Sequence, residues 1–244
     1  LYAEELFFAP KYVKAKQMVD EGAFGRVHLV KQSEKHNGPH ADWFWDVERS
    51  GGGALMDLGC HGIAFCWWLL GKPNVRSVYA QLATQVHANR TTGDDEALTI
   101  MEFDGGAVGV VENSWTRLGG MDDAIEVFGS QGQTYADMLM GNALPTYSEI
   151  GYGYAVEKAA STKGWSWPVF EEHWNYGFPQ EMRHFARCVR GKETPISDGE
   201  TGRVVLEVMY AAYASAGLGR KIALPFRPNG IAKPIDLWRK PALR

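Results

Sequence analysis

The sequence is short of several things, and each shortage narrows what the protein does. It has three cysteines, Cys60, Cys66 and Cys188, far apart and without a C-x-x-C pair. That pattern fits a reducing compartment better than a disulfide framework. The longest apolar stretch, residues 54–70, carries Asp57, His61 and two glycines. It falls short of the ~20 uninterrupted apolar residues of a membrane span. No charged-plus-apolar leader opens the chain. Charge of one sign never accumulates: 25 Lys and Arg face 29 Asp and Glu, for a net charge of −4. A nucleic-acid binder would show a basic patch, and none is visible. The expectation is a cytoplasmic chain with neither a nucleic-acid nor a membrane partner.

The usual chemical motifs are also missing. A dinucleotide fold needs G-x-G-x-x-G between strand and helix. The Gly51-Gly52-Gly53 triplet fails because Met56 stands at the third glycine's place, and Gly151-Tyr152-Gly153 fails at Val156. There is no G-x-x-x-x-G-K-[ST] loop and no G-x-S-x-G nucleophile elbow. Internal repeats and low-complexity tracts are absent too.

What remains is an ordinary globular composition, 45% hydrophobic and 22% charged over 244 residues, long enough for a sizeable core. No internal domain boundary is visible. Glycine is in excess at 28, and several of the nine tryptophans cluster, as at Trp43 and Trp45. Hydrophobic spacing predicts a helix over 11–20 and a strand over 26–32, then a polar loop over 34–46. A buried helix follows the glycine triplet over 54–70, apolar nearly all round. Strands follow over 75–86, 97–103, 107–115, 124–128 and 133–137, joined by short turns such as Asp104-Gly105-Gly106. Two short strands and a loop fall within 144–166. Helices cover 178–190, with Met182, Phe185, Ala186 and Val189 on one face, and 201–218, behind an N-cap at Ser197-Asp198-Gly199. The tail from 223 to 244 reads as extended. Strands without helical crossovers argue for an antiparallel sheet. The fold class expected is α+β: an open, mainly antiparallel sheet with helices packed on one face.

The chemistry-bearing candidate is Asp57-Leu58-Gly59-Cys60-His61. On one continuous helix Asp57 and His61 would be i and i+4 and share a face. A histidine beside a carboxylate can move a proton at neutral pH. The alternative is that Asp57 caps the helix start and His61 is a satisfied core residue. The glycine triplet lets a ligand or another backbone come close at Gly53. Trp43 and Trp45 are either a hydrophobic plug or one wall of a substrate pocket, with His36 on the same loop. His36 and His40 are four apart but separated by Asn37-Gly38-Pro39, so their spacing does not make a metal site, and no metal is expected.

The string Ser50-Gly51-Gly52-Gly53-Ala54-Leu55-Met56-Asp57-Leu58-Gly59-Cys60-His61, followed by Trp68-Leu69-Leu70-Gly71, resembles the C-terminal domain of the glucose–fructose oxidoreductase, inositol dehydrogenase and MocA (Gfo/Idh/MocA) family. Supporting similarities are Gly22 to Val27, Asp104 to Ala107, Ile125 to Gly132 and Ser197-Asp198-Gly199, so the likeness runs over about 4–226. The resemblance implies an NAD(P)-dependent oxidoreductase of sugars, polyols or their derivatives. The family's N-terminal Rossmann domain of about 120 residues holds the nucleotide. Residues 1–244 would then be a single substrate-binding and oligomerisation domain, inactive alone, pairing through its sheet as a homodimer or homotetramer. The family's catalytic Asp and His correspond to Asp57 and His61. By this likeness His61 takes the hydroxyl proton as hydride leaves for the nicotinamide, and Asp57 orients it. Trp43, Trp45, Gly53 and His36 are the expected substrate contacts. Two departures stand out: the family's Glu-Lys-Pro segment is not in the sequence, and Ala64 stands where many members carry an Asp. The rival expectation is a non-enzymatic sugar-binding or assembly module with Trp43 and Trp45 as its platform.

Overall fold

The computed structural model describes residues 1–153 and 158–239. A short 3-10 turn, Glu5–Phe7, leads into α1 (Pro10–Asp20), which starts on a proline whose fixed φ suits a first helical turn. Then come β1 (Val27–Lys35), a 3-10 turn at Asp42–Trp45, α2 (Val47–Ser50), α3 (Ala54–Asp57) and α4 (Gly59–Leu69). Four long strands follow: β2 (Val75–Ala83), β3 (Glu96–Phe103), β4 (Val108–Ser114) and β5 (Asp122–Gly129). After β6 (Gln133–Asp137) come a small hairpin of β7 (Thr146–Ser148) and β8 (Gly164–Ser166), then α5 (Glu172–Asn175) and α6 (Phe178–Val189). The chain closes with α7 (Gly199–Leu218), β9 (Ile222–Ala223) and α8 (Asp236–Arg239).

One seven-stranded sheet, ordered β6-β5-β1-β4-β3-β2-β9, organises the chain, beside the separate two-stranded hairpin β7-β8. Every neighbouring pair is antiparallel except β1 and β4, which run parallel. The fold class is therefore the expected one, with a single parallel pair that local turn signals could not show. Three helical segments and two strands separate β1 from β4, so β1 returns to the sheet centre between β4 and β5 without a short turn to announce its direction.

Alternation along the strands explains which face is covered. Val30, Gln32 and Glu34 of β1, Ile125 and Val127 of β5, and Val78 and Ala80 of β2 point to the helical side and are buried. Here α4 lies over β1 and β4, and α7 lies over β2. Gly62 lets α4 sit this close, since a Cβ there would stand 2.4 Å from Gln32 Oε1 and from Val111 Cγ1. Helix α7 starts in a capping box: Asp198 Oδ1 accepts from the Thr201 amide at 3.0 Å and Thr201 Oγ1 accepts from the Asp198 amide. Such caps stabilise a helix by about 1 kcal/mol. The other face of the sheet is open and carries the ion pairs Lys31–Glu126 and Lys35–Glu112 beside exposed Tyr79 and Leu98.

Four local expectations change. The helix anticipated over 54–70 is broken at Leu58 into α3 and α4. Strand β1 runs on to Lys35, which places Glu34 in the sheet and not in the loop. The tail is only partly extended, since it forms β9 and α8, and residues 240–244 lie outside the described residues, as do 154–157 of the 144–166 segment. The apolar face of α6 is largely exposed, with Met182 at 63% and Val189 at 80%, while Glu181 of the same helix is buried. No helix among the described residues is long and apolar enough to cross a membrane.

Candidate active site

The glycine triplet is the hinge of the site. Gly51 takes a left-handed conformation at φ 80° and ends α2. Gly53 then passes so close to β3's leading segment that a Cβ would stand 1.9 Å from the Asp94 carbonyl oxygen. Asp94 is fully buried and takes three donors: the Gly53 amide at 3.0 Å, the Leu55 amide at 2.7 Å and the Tyr213 hydroxyl at 2.6 Å. An acidic side chain receiving the first amides of α3 satisfies donors that no helix can satisfy itself. Gly53 is therefore committed to the scaffold: its amide is bonded to Asp94, and it is not among the residues lining the cavity described next.

Asp57 closes α3, and His61 follows one turn into α4, beyond the break. Both line one cavity of about 290 Å³. Asp57 Oδ2 accepts from the buried Trp115 Nε1 at 2.9 Å, whereas His61 Nδ1 lies 3.1 Å from Glu4 Oε1 and 3.5 Å from Glu5 Oε1. Each side chain has its own partner, and both stay at the cavity. Around them stand Glu5, Glu34, His40, Leu58 and Met121, with Glu172, His173, Tyr176 and Phe178 closing one side from α5 and its flanks.

The electrostatics of this cavity are dominated by carboxylates out of water. Burial pushes Glu4 up to about 7, against the pull of His61, and pushes Asp123 up to about 7 despite the Tyr12 hydroxyl bonded to it at 2.5 Å. Burial also raises Glu34 well above the usual carboxylate range and raises Asp57, the latter opposed by the Trp115 bond. For His61, burial disfavours the charged ring, but Cys60, Glu5, Glu4 and Glu34 together outweigh it and hold the imidazole well above its ordinary 6.5. A buried histidine surrounded by acids keeps its proton because each acid favours the cation. Glu4 itself is anchored, its amide donating to Glu181 Oε1 at 2.8 Å.

The remaining candidates are distributed unevenly. His36 is buried, and its ring packs edge-on against His40 at 4.9 Å, so it stands behind a cavity residue. Trp45 packs edge-on against Trp115 at 5.1 Å with the Arg90 guanidinium 4.1 Å over its ring, so it buttresses the residue that holds Asp57. Trp43 faces outward, 40% exposed and stacked on Phe44 at 3.8 Å. None of the three lines the cavity. Sequence reading missed Glu4, Glu5 and Glu34. Glu34 left a usable signal, because it continues the core-facing alternation of Val30 and Gln32. Among the described residues, ligand atoms of Glu4, Glu5 and His61 lie within 4.8 Å of one another. The histidine pair His36 and His40 is not part of that group.

Comparison with known proteins gives this site its context. Residues 12–135 match the GFO/IDH/MocA C-terminal domain. The chain is 28% identical over 224 residues to the myo-inositol 2-dehydrogenase of Thermotoga maritima, covering 89% of this chain and 62% of that protein. It is 29% identical over 220 residues to the scyllo-inositol 2-dehydrogenase (NAD(+)) of Bacillus subtilis, covering 89% of this chain and 60% of that one. Among solved structures, GenD2 from gentamicin A biosynthesis, in complex with NAD, superposes with a TM-score of 0.85 at 32% identity, covering 91% of this chain and 62% of GenD2. The chain thus spans about three-fifths of the length of the curated relatives it matches. A domain match over half the sequence, on a sheet of the same architecture, places the chain in the Gfo/Idh/MocA family.

Proposed function

We propose that this chain is the substrate-binding and catalytic part of an NAD(P)-dependent oxidoreductase acting on a sugar, polyol or derivative. The observation that carries this reading is His61: an imidazole one-fifth exposed at a monosaccharide-sized cavity, ringed by acids that raise its basicity. Oxidising a secondary alcohol to a carbonyl requires a base for the hydroxyl proton. With Nδ1 engaged by Glu4, Nε2 is the nitrogen left for that proton. Asp57, fixed by Trp115, supplies a charge beside the imidazolium that forms.

The dinucleotide itself does not fit this cavity. A cavity of about 290 Å³ lies at the small end of ligand sites. Its carboxylates would repel a pyrophosphate, and the Gly53 amide is already taken by Asp94. The proposal therefore gives this chain the proton chemistry and assigns NAD or NADP to residues outside the cavity. It adds assembly as a homodimer or homotetramer through the open sheet face, and a reducing, cytoplasmic setting in which Cys60, Cys66 and Cys188 stay free. The non-enzymatic alternative loses ground because Trp45, half of its stacking platform, is packed between Trp115 and Arg90.

The test is steady-state turnover of the whole protein with NAD or NADP on a panel of sugars and polyols. His61→Ala should lower kcat/KM by about 10²–10⁴-fold, the range for loss of a general base. A His61→Ala rate within threefold of the parent would remove the proposed role, and residues 1–244 alone should give no turnover.

A further inference from the structure

The cavity is acidic beyond what a neutral polyol needs. Glu5, Glu34, Asp57 and Glu172 reach it from four different elements, and among the described residues no lysine or arginine lines it. Asp57 and His61 together suffice to handle a hydroxyl. Glu34 is the group left over. It is 5% exposed, it stands in the cavity wall, and its Oε2 has no hydrogen-bond partner among the described residues. In register across from it on β5 is Asp123, a second buried carboxylate, whose own oxygen is occupied by Tyr12 and Gln32. A buried acceptor left unmet costs free energy that a ligand donor can recover. A donor that also carries positive charge recovers most.

We propose that the ligand of this cavity carries a primary ammonium group, as an amino sugar or aminocyclitol does, and that Glu34 receives it. The inference deepens the oxidoreductase reading and rests on it for taking this cavity as the substrate site. An ammonium donates three hydrogen bonds, one of which would meet the unpartnered Glu34 oxygen. It also explains why the acids come from separate elements: they surround a position and do not pair with one another. Burial favours the neutral form of Glu34, with His61 on α4 opposing and Asp123 on β5, Glu5 on the N-terminal turn and Asp57 on α3 reinforcing it. Arrival of an ammonium therefore ionises Glu34 and expels a proton.

Calorimetry of the whole protein with NAD present, near neutral pH, tests this with defined probes. These are the 2-, 3- and 6-amino-deoxy derivatives of D-glucose and 2-deoxystreptamine, each against D-glucose or myo-inositol. At least one amine should bind about 10- to 100-fold tighter than its hydroxyl counterpart, the ratio of one charge-assisted hydrogen bond. Its heat should vary with the buffer's ionisation enthalpy in the sense of proton release. Glu34→Gln, nearly isosteric, should abolish the preference and the release. Glu172→Gln, at the cavity's outer side, should reduce the preference and serves if Glu34→Gln does not fold. Equal or weaker binding of every amine overturns the proposal, as does a preference that survives both substitutions. NAD-dependent oxidation of neutral polyols without amine preference would refute the ammonium site and leave the oxidoreductase reading standing. Amine preference without oxidation of any probe would do the reverse.

Discussion

Asp94 joins the glycine triplet, the start of α3 and the middle of α7, and its loss should be among the costliest single changes in the chain. Its carboxylate is fully buried and accepts from Gly53, Leu55 and Tyr213 at 3.0, 2.7 and 2.6 Å. Each hydrogen bond to a charged acceptor contributes about 1.5–3 kcal/mol, and the three share one acceptor, so they do not add. Asp94→Ala strands three buried donors and should cost about 3–5 kcal/mol, the range for breaking a buried charged network. Tyr213→Phe removes one donor, leaves the two amides satisfied, and should cost about 1.5–3 kcal/mol. Urea unfolding followed by far-UV circular dichroism reads both as shifts of the midpoint at constant slope. Because Asp94 positions α3, Asp94→Ala should also lower turnover through Asp57 without touching substrate. A Tyr213→Phe cost below about 0.5 kcal/mol, the scale of an ordinary surface change, would refute the reasoning.

Gly53→Ala forces a Cβ to within 1.9 Å of the Asp94 carbonyl, a backbone atom that cannot rotate away. It should cost about 3 kcal/mol, whereas Gly199→Ala, with nothing within 4 Å of the new carbon, should be neutral or slightly stabilising in the same denaturation assay. Trp115→Phe keeps a ring in the core but deletes the 2.9 Å bond to Asp57. Stability should fall by about 1–2 kcal/mol, and kcat should fall more than KM rises if that bond positions the site. The pH profile follows from His61. A base works only when deprotonated, and its acidic neighbours hold its proton to higher pH, so kcat/KM should rise with pH along a limb centred above 6.5. Glu4→Gln removes one of those neighbours and should move the limb to lower pH, and a limb that stays or rises would contradict the assignment.

Much of the fold was legible because it is written in short-range periodicity. Strand-like runs marked β1 to β6, the proline at α1 and the N-cap residues before α7 marked helix starts, and glycines marked the turns. The same local grammar picked out Asp57 and His61 as candidates, since a carboxylate and a histidine in an otherwise apolar run stand out. It erred where a distant contact decides the outcome. The run over 54–70 reads as one helix, because nothing in its composition shows that Trp115, 58 residues away, takes Asp57 while Glu4, 57 residues away, takes His61.

The sequence by itself determined the class of the fold and the glycine turn, and singled out Asp57 and His61 as candidates, because each depends on residue type within a few positions. Only the tertiary structure decided what surrounds that pair. Glu4, Glu5 and Glu34 are unremarkable acids along the chain, and they become a cavity's electrostatics only when the N-terminal turn and β1 are brought against α4. Electrostatic effects depend on distance and burial in space, and neither is a property of spacing along the chain.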